Sequence, residues 1–118
     1  MFYNLLRKYR HIVKGFQVRK FKRLQNAHEL VIELTFKDDS KLAIKDYLFL
    51  DGNRKYAYHW QNKEGDLLIR WDNAGHWENL STFPHHKHVE KVENVENSNV
   101  RNVDQALEFI SNRIEKEE

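Results

Sequence analysis

Five of the seven histidines in this 118-residue chain, His59, His76, His85, His86 and His88, fall within Tyr58 to His88, interleaved with Trp60, Trp71 and Trp77. The densest run is Phe83-Pro84-His85-His86-Lys87-His88-Val89. In an extended chain side chains alternate, so His86 and His88 project together while His85, Lys87 and Val89 project the other way. Two imidazoles at that spacing can hold a metal ion, zinc or manganese, with His59 or His76 and Asp72 completing the sphere. The same side chains also suit metal-independent RNA cleavage. There a neutral His takes the proton of the ribose 2′-hydroxyl, a second His protonates the leaving oxygen, and Arg or Lys stabilises the phosphorane. An imidazole pKa of about 6.5 serves both proton transfers at neutral pH. The structural alternative is that these are surface histidines packed against tryptophans.

Arg70 and Asp72 share one face of a strand in any register, because side-chain direction has period two. They can serve the chemistry or simply pair with each other across the surface. Whether His59 joins them depends on the turn before Leu67. A loop of two or four residues turns Tyr56, Tyr58 and Trp60 inward with Leu67, Ile69 and Trp71, leaving His59 on the polar face with Arg70 and Asp72. A three-residue loop would put His59 beside Ile69. The first register buries one continuous aromatic and aliphatic face and is the one expected. The candidate catalytic residues are therefore His59, Arg70, Asp72, His76, His86 and His88; if a metal is held, His86, His88 and His59 are its first candidates.

The net charge of +2 conceals a strong asymmetry. Residues 1–24 carry Arg7, Lys8, Arg10, Lys14, Arg19, Lys20, Lys22 and Arg23 and no acid, which makes that segment +8. Residues 25–89 hold eight basic and ten acidic side chains, and residues 90–118 hold four basic and eight acidic ones. Charge runs are commonly solvated faces, but Tyr3, Tyr9, Phe16 and Phe21 interleave with these cations. Stacking surface combined with phosphate-neutralising charge is what single-stranded RNA binders use. The eight cations and Lys87 are accordingly the candidate RNA contacts.

Several classes are excluded. There is no cysteine nucleophile or thiolate metal site, no glycine-rich phosphate loop and no serine nucleophile elbow. No apolar run approaches the roughly 18 residues of a membrane span. The cations inside Met1 to Gly15 speak against a cleavable signal, so a cytoplasmic location is expected. With 40% hydrophobic and 13% aromatic residues, the composition is that of a folded protein, expected as one domain spanning 1–118.

The elements that must position these residues read as an α+β fold. Phe2, Leu5, Leu6, Tyr9, Ile12 and Val13 recur at helical spacing, predicting a helix over 1–15 closed by Gly15. Residues 16–72 then read as a five-stranded antiparallel meander, with turns at Asp38-Asp39-Ser40, Asp51-Gly52 and Asn62 to Asp66. Residues 73–100 read as a His- and Trp-rich loop followed by a polar linker. Asn102 with Gln105 resembles a capping box, and Val103, Leu107, Ile110 and Ile114 predict a closing helix over 101–116.

Three motifs, Tyr58-His59-Trp60-Gln61, Ile69-Arg70-Trp71-Asp72-Asn73-Ala74 with His76, and Thr82 to Val89, in this order and spacing, resemble the TumE family. The resemblance covers most of the chain. It implies a small prokaryotic toxin of a type II toxin–antitoxin module, held inactive by a cognate antitoxin and acting on RNA or the ribosome, with a homodimer compatible. Where family members commonly read Asn-Ala-Pro-His-His, this chain reads Asn73-Ala74-Gly75-His76-Trp77, so a step needing that second His would be impaired. Two other expectations stand beside the toxin ribonuclease: a non-catalytic protein-interaction module, and a metal-dependent phosphoester or nucleotide enzyme using the His cluster.

Overall fold

The computed structural model describes residues 2–117. Helix α1 (Phe2–Lys8) leads into seven strands and a closing helix α2 (Val103–Glu117). The strands are β1 (Val13–Leu24), β2 (Ala27–Phe36), β3 (Lys41–Leu48), β4 (Arg54–Gln61), β5 (Leu67–Asp72), β6 (His86–Val89) and β7 (Val95–Asn97). Each pairs antiparallel with the next, in the order β1-β2-β3-β4-β5-β6-β7.

The two faces of the sheet follow from strand alternation. Ile32, Leu34 and Phe36, Leu42 and Ile44, Tyr56, Tyr58 and Trp60, and Ile69 and Trp71 form one inner face, all buried. Helix α2 lays Val103, Ala106, Leu107, Ile110 and Ile114 on it at helical spacing. Phe109 meets Trp71 and Trp60 edge-on at 5.6 and 6.4 Å, and the Arg113 guanidinium sits 5.3 Å over Trp60. Burying side chains of this size stabilises by roughly 1.5–3 kcal/mol each, so this face dominates the fold. Helix α1 adds Phe2, Leu5 and Leu6 to the same core. The Tyr9 hydroxyl donates to the Asp104 carboxylate, and His11 Nε2 meets Ser111 Oγ at 3.1 Å, tying the segment after α1 to α2. Beyond the reach of α2, the β1–β2 hairpin leaves Phe16, Val18, Phe21 and Leu24 exposed.

Four expectations need correction. The sheet has seven strands rather than five, because β6 and β7 form within what reads as loop and linker. The first helix ends at Lys8, not Gly15: Ile12 N–H bonds to the Tyr9 carbonyl in a tight turn, and Val13 already belongs to β1, where Gly15 lies. The closing helix begins at Val103 rather than 101, with the Asn102 side chain accepting from Gln105 N–H at 2.8 Å. The turn between β4 and β5 falls at Asn62 to Asp66 as expected, but its five residues are neither the two nor the four that the favoured register assumed, and Gly65 lies at φ 92°. A bulge after Trp60 absorbs the difference: Gln61 pairs with Leu67 and Trp60 with Ile69. Leu68, not Leu67, therefore packs against the core, and the expected pairing of His59 with Arg70 is still reached.

Candidate functional site

The outer face of the sheet carries the site. His59 on β4 lies opposite Arg70 on β5, which lies opposite His88 on β6. One row further along, Ala57, Asp72 and His86 pair in the same way. Two strand registers thus bring His59, Arg70, Asp72, His86 and His88 onto one patch. Trp77 reaches it from the loop after β5 and stands edge-on to His86 and His88 at 6.3 and 6.4 Å. Trp77 thus caps the two buried imidazoles. His76 itself is exposed.

Inside this patch the groups differ sharply in environment. His59 is half-buried, with Nδ1 3.5 Å from an Arg70 terminal nitrogen. Burial, and then the Arg70 charge, push its imidazole below the usual value, so it is neutral at pH 7. Arg70 Nε donates to Asp72 Oδ2 at 3.3 Å, which holds the partly exposed guanidinium in place. Asp72 also accepts from Ala74 N–H at 3.0 Å. Its two oxygens face the buried imidazoles: His86 Nε2 lies 2.8 Å from Oδ1 and His88 Nε2 3.4 Å from Oδ2. The other nitrogen of each ring contacts a backbone carbonyl, His86 Nδ1 to Pro84 at 3.1 Å and His88 Nδ1 to Val92 at 2.6 Å. Asp72, His86 and His88 each offer a ligand atom, and these atoms all lie within 4.8 Å of one another. His59, the third metal candidate, faces Arg70 instead.

Not every candidate arrives here. His85 turns inward, with Nδ1 2.8 Å from the Tyr56 hydroxyl, and burial is the first cause holding its imidazole low. Lys87 pairs with Trp71 and so faces away from Arg70. The basic strip runs along α1, the turn after it and β1, and β1 is the opposite edge of the sheet, with β2, β3 and β4 between it and β5. At about 4.8 Å per strand that is roughly 19 Å. Arg7, Lys8, Arg10, Lys14, Arg19, Lys20, Lys22 and Arg23 are all exposed. Lys8, Lys14, Arg19 and Lys20 pair with Asp104, Asp39, Glu33 and Glu29.

Sequence reasoning overlooked two features. Lys41, Ala43 and Lys45 alternate outward on β3, with Ala43 opposite His59, so small and cationic side chains border the site. The strict alternation of β3 was signal enough to find them. On the inner face, Asp46 gathers Arg54, Tyr58 and His28, and Arg54 stacks on Tyr56 at 4.6 Å. Nothing local in the sequence links these residues, because three strands contribute them.

Among the described residues, no helix is long and apolar enough to cross a membrane. No curated protein and no solved structure matches the chain. A family model described as Toxin TumE matches residues 2–118, essentially the whole chain, and the protein therefore belongs to the TumE toxin family.

Proposed function

We propose that the protein is the toxin of a toxin–antitoxin module, neutralised by a partner antitoxin, and that it cleaves RNA on the outer face of β4, β5 and β6. Membership of a toxin family supports the first part. The second rests on one observation: His59 and Arg70 stand side by side on the sheet face opposite the one that, among the described residues, α2 packs against. Their contact is 3.5 Å, at the outer limit of a hydrogen bond, so the imidazole stays available to accept a proton while the guanidinium stands beside it. A proton acceptor and a fixed positive charge thus neighbour each other across β4 and β5. That is the pairing needed to deprotonate a ribose 2′-hydroxyl while the adjacent phosphate gains charge.

In this reading Arg70, steadied by Asp72, binds the phosphate, and neutral His59 takes the 2′-hydroxyl proton. Exposed His76 supplies the proton to the leaving oxygen, and Trp77 offers a stacking surface to a base. His86 and His88 support the patch, since both rings are buried, each held at Nδ1 by a backbone carbonyl and facing Asp72 with Nε2. Placing His59 and Arg70 in the reaction predicts that His59→Gln and Arg70→Ala each lower RNA cleavage by about 10²-fold or more. Cleavage by the wild type should fall on the acid side with a midpoint below about 6.5, the unperturbed imidazole value, and His59→Gln should lose that limb. Expression of the chain without its antitoxin should arrest growth, and either substitution should relieve the arrest. If the purified protein leaves total RNA, tRNA and the RNA of translating ribosomes intact, the ribonuclease reading is lost. Growth arrest that then survives both substitutions favours a non-catalytic interaction module.

A further inference from the structure

We infer that Asp72, His86 and His88 form a binding site for a single divalent transition-metal ion, with zinc the expected occupant. The inference stands on geometry and does not depend on RNA being the substrate.

The argument begins with which ring nitrogens carry hydrogen. A backbone carbonyl only accepts, so the contacts of His86 Nδ1 with Pro84 O and His88 Nδ1 with Val92 O place the hydrogen on Nδ1 in both rings. The neutral form of each ring then presents a bare lone pair at Nε2. Both Nε2 atoms are aimed at the carboxylate of Asp72, at 2.8 and 3.4 Å. Three electron-pair donors thus converge on one small volume. Without a cation among them they repel one another, in a place where water cannot compensate: the side chains are 2%, 9% and 9% exposed.

One divalent ion satisfies both rings and the carboxylate at once. The remaining features are those that metal ligands need. Each imidazole is oriented by an Nδ1–H bond to a carbonyl, and the carboxylate is oriented by Ala74 N–H and Arg70 Nε. The two rings stand at 84° to each other, so their Nε2 atoms approach a shared centre from different directions. Two imidazoles and a carboxylate suit zinc among the common ions, and three protein ligands leave a position for water. Strand alternation puts His86 and His88 on the same face of β6, and the register sets Asp72 directly opposite His86.

The test uses the full-length protein, stripped with chelator and checked for its fold by circular dichroism, and titrated with zinc against a chromophoric competitor. One equivalent of zinc should bind at micromolar or lower free concentration and raise the melting temperature. Asp72→Asn keeps the side-chain shape and should weaken binding at least tenfold, as should His88→Gln. His76→Gln, on the exposed loop, should leave it unchanged. Should either site variant fail to fold, long-range proton–nitrogen spectra of the wild type decide the matter alone: zinc must shift the Nε2 resonances of His86 and His88 while their Nδ1 atoms stay protonated. The inference is overturned if the folded wild type binds no zinc at about 100 μM. It is equally overturned if binding survives in Asp72→Asn and His88→Gln, or disappears with His76→Gln. None of these readouts involves RNA, so a failure here leaves the His59 and Arg70 chemistry to be judged separately.

Discussion

Asp46 ends the inward-facing run Leu42, Ile44, Asp46 on β3, and a carboxylate at that position must be compensated. Arg54 meets it with two nitrogens, Nε at 3.2 Å from Oδ1 and a terminal nitrogen at 2.6 Å from Oδ2. The Tyr58 hydroxyl and His28 Nε2 add further contacts. Burial, the largest influence, pushes the carboxyl pKa up, but hydrogen bonds from Arg54, Tyr58 and His28 and the Arg54 charge outweigh it and hold the value below normal. The folded-state pKa is thus lower than the unfolded one. The linked stability is fully present above the unfolded value of about 3.9 and is lost as pH falls through the folded value. Asp46→Asn should therefore cost about 3 kcal/mol at pH 7, because it leaves Arg54 without its charge partner. It should also flatten the decline in stability between roughly pH 5 and pH 2. Urea unfolding of both proteins at several pH values measures both effects; equal slopes on the acid side would contradict the assignment. The same network reaches the site region, since Arg54 stacks on Tyr56, whose hydroxyl meets His85 beside His86.

The elements divide into those whose own residues determine them and those that borrow their structure. Helix α2 is of the first kind. Asn102 caps Gln105 N–H, while the Gln105 side chain accepts from Arg101 N–H at 2.7 Å, one residue outside the usual box. Asn102→Ala should cost about 1 kcal/mol and lower the melting temperature by about 4 °C, read by thermal unfolding. Strands β2 to β5 are likewise legible, because their alternation buries a whole face and a slip of one residue would expose it. For that reason His59, Arg70 and Asp72 can be placed together from sequence alone. Strands β6 and β7 are of the second kind. They have four and three residues, and Val95-Glu96-Asn97 has little intrinsic strand preference. β6 pairs onto the edge of β5 and β7 in turn onto β6, so neither has a local signal. The metal-ligand geometry was hidden with them, since the pairing of His86 with Asp72 exists only once β6 docks. The bulge that swaps Leu68 for Leu67 was hidden too: the two leucines are interchangeable by type, and a five-residue turn fixes which one enters the core.

Charge is a property of the whole molecule, and the fold redistributes what the sequence concentrates. The +8 segment splits between the two sides of the sheet. Lys8 turns to α2, where it bonds Asp104, whereas Lys20 and Lys22 fall on the outer face opposite Val31 and Glu29. Between them and Arg70, the outer face continues through Lys41 and Lys45, which flank Ala43 opposite His59. An RNA strand lying on this face can reach His59 while touching those lysines; one held by Arg7 and Arg10 on the far side cannot do both. Lys41→Gln and Lys45→Gln should therefore weaken RNA binding, each reducing the slope of log K against log salt by about 0.7 for a single strand. Arg7→Gln and Arg10→Gln should leave affinity and slope close to wild type. Fluorescence anisotropy of a labelled single-stranded RNA between low and moderate salt, using His59→Gln protein to prevent cleavage, separates the two sets. If Arg7 and Arg10 carry the slope and the β3 lysines do not, RNA approaches from the helix side, and the outer face loses its claim to be the reactive surface.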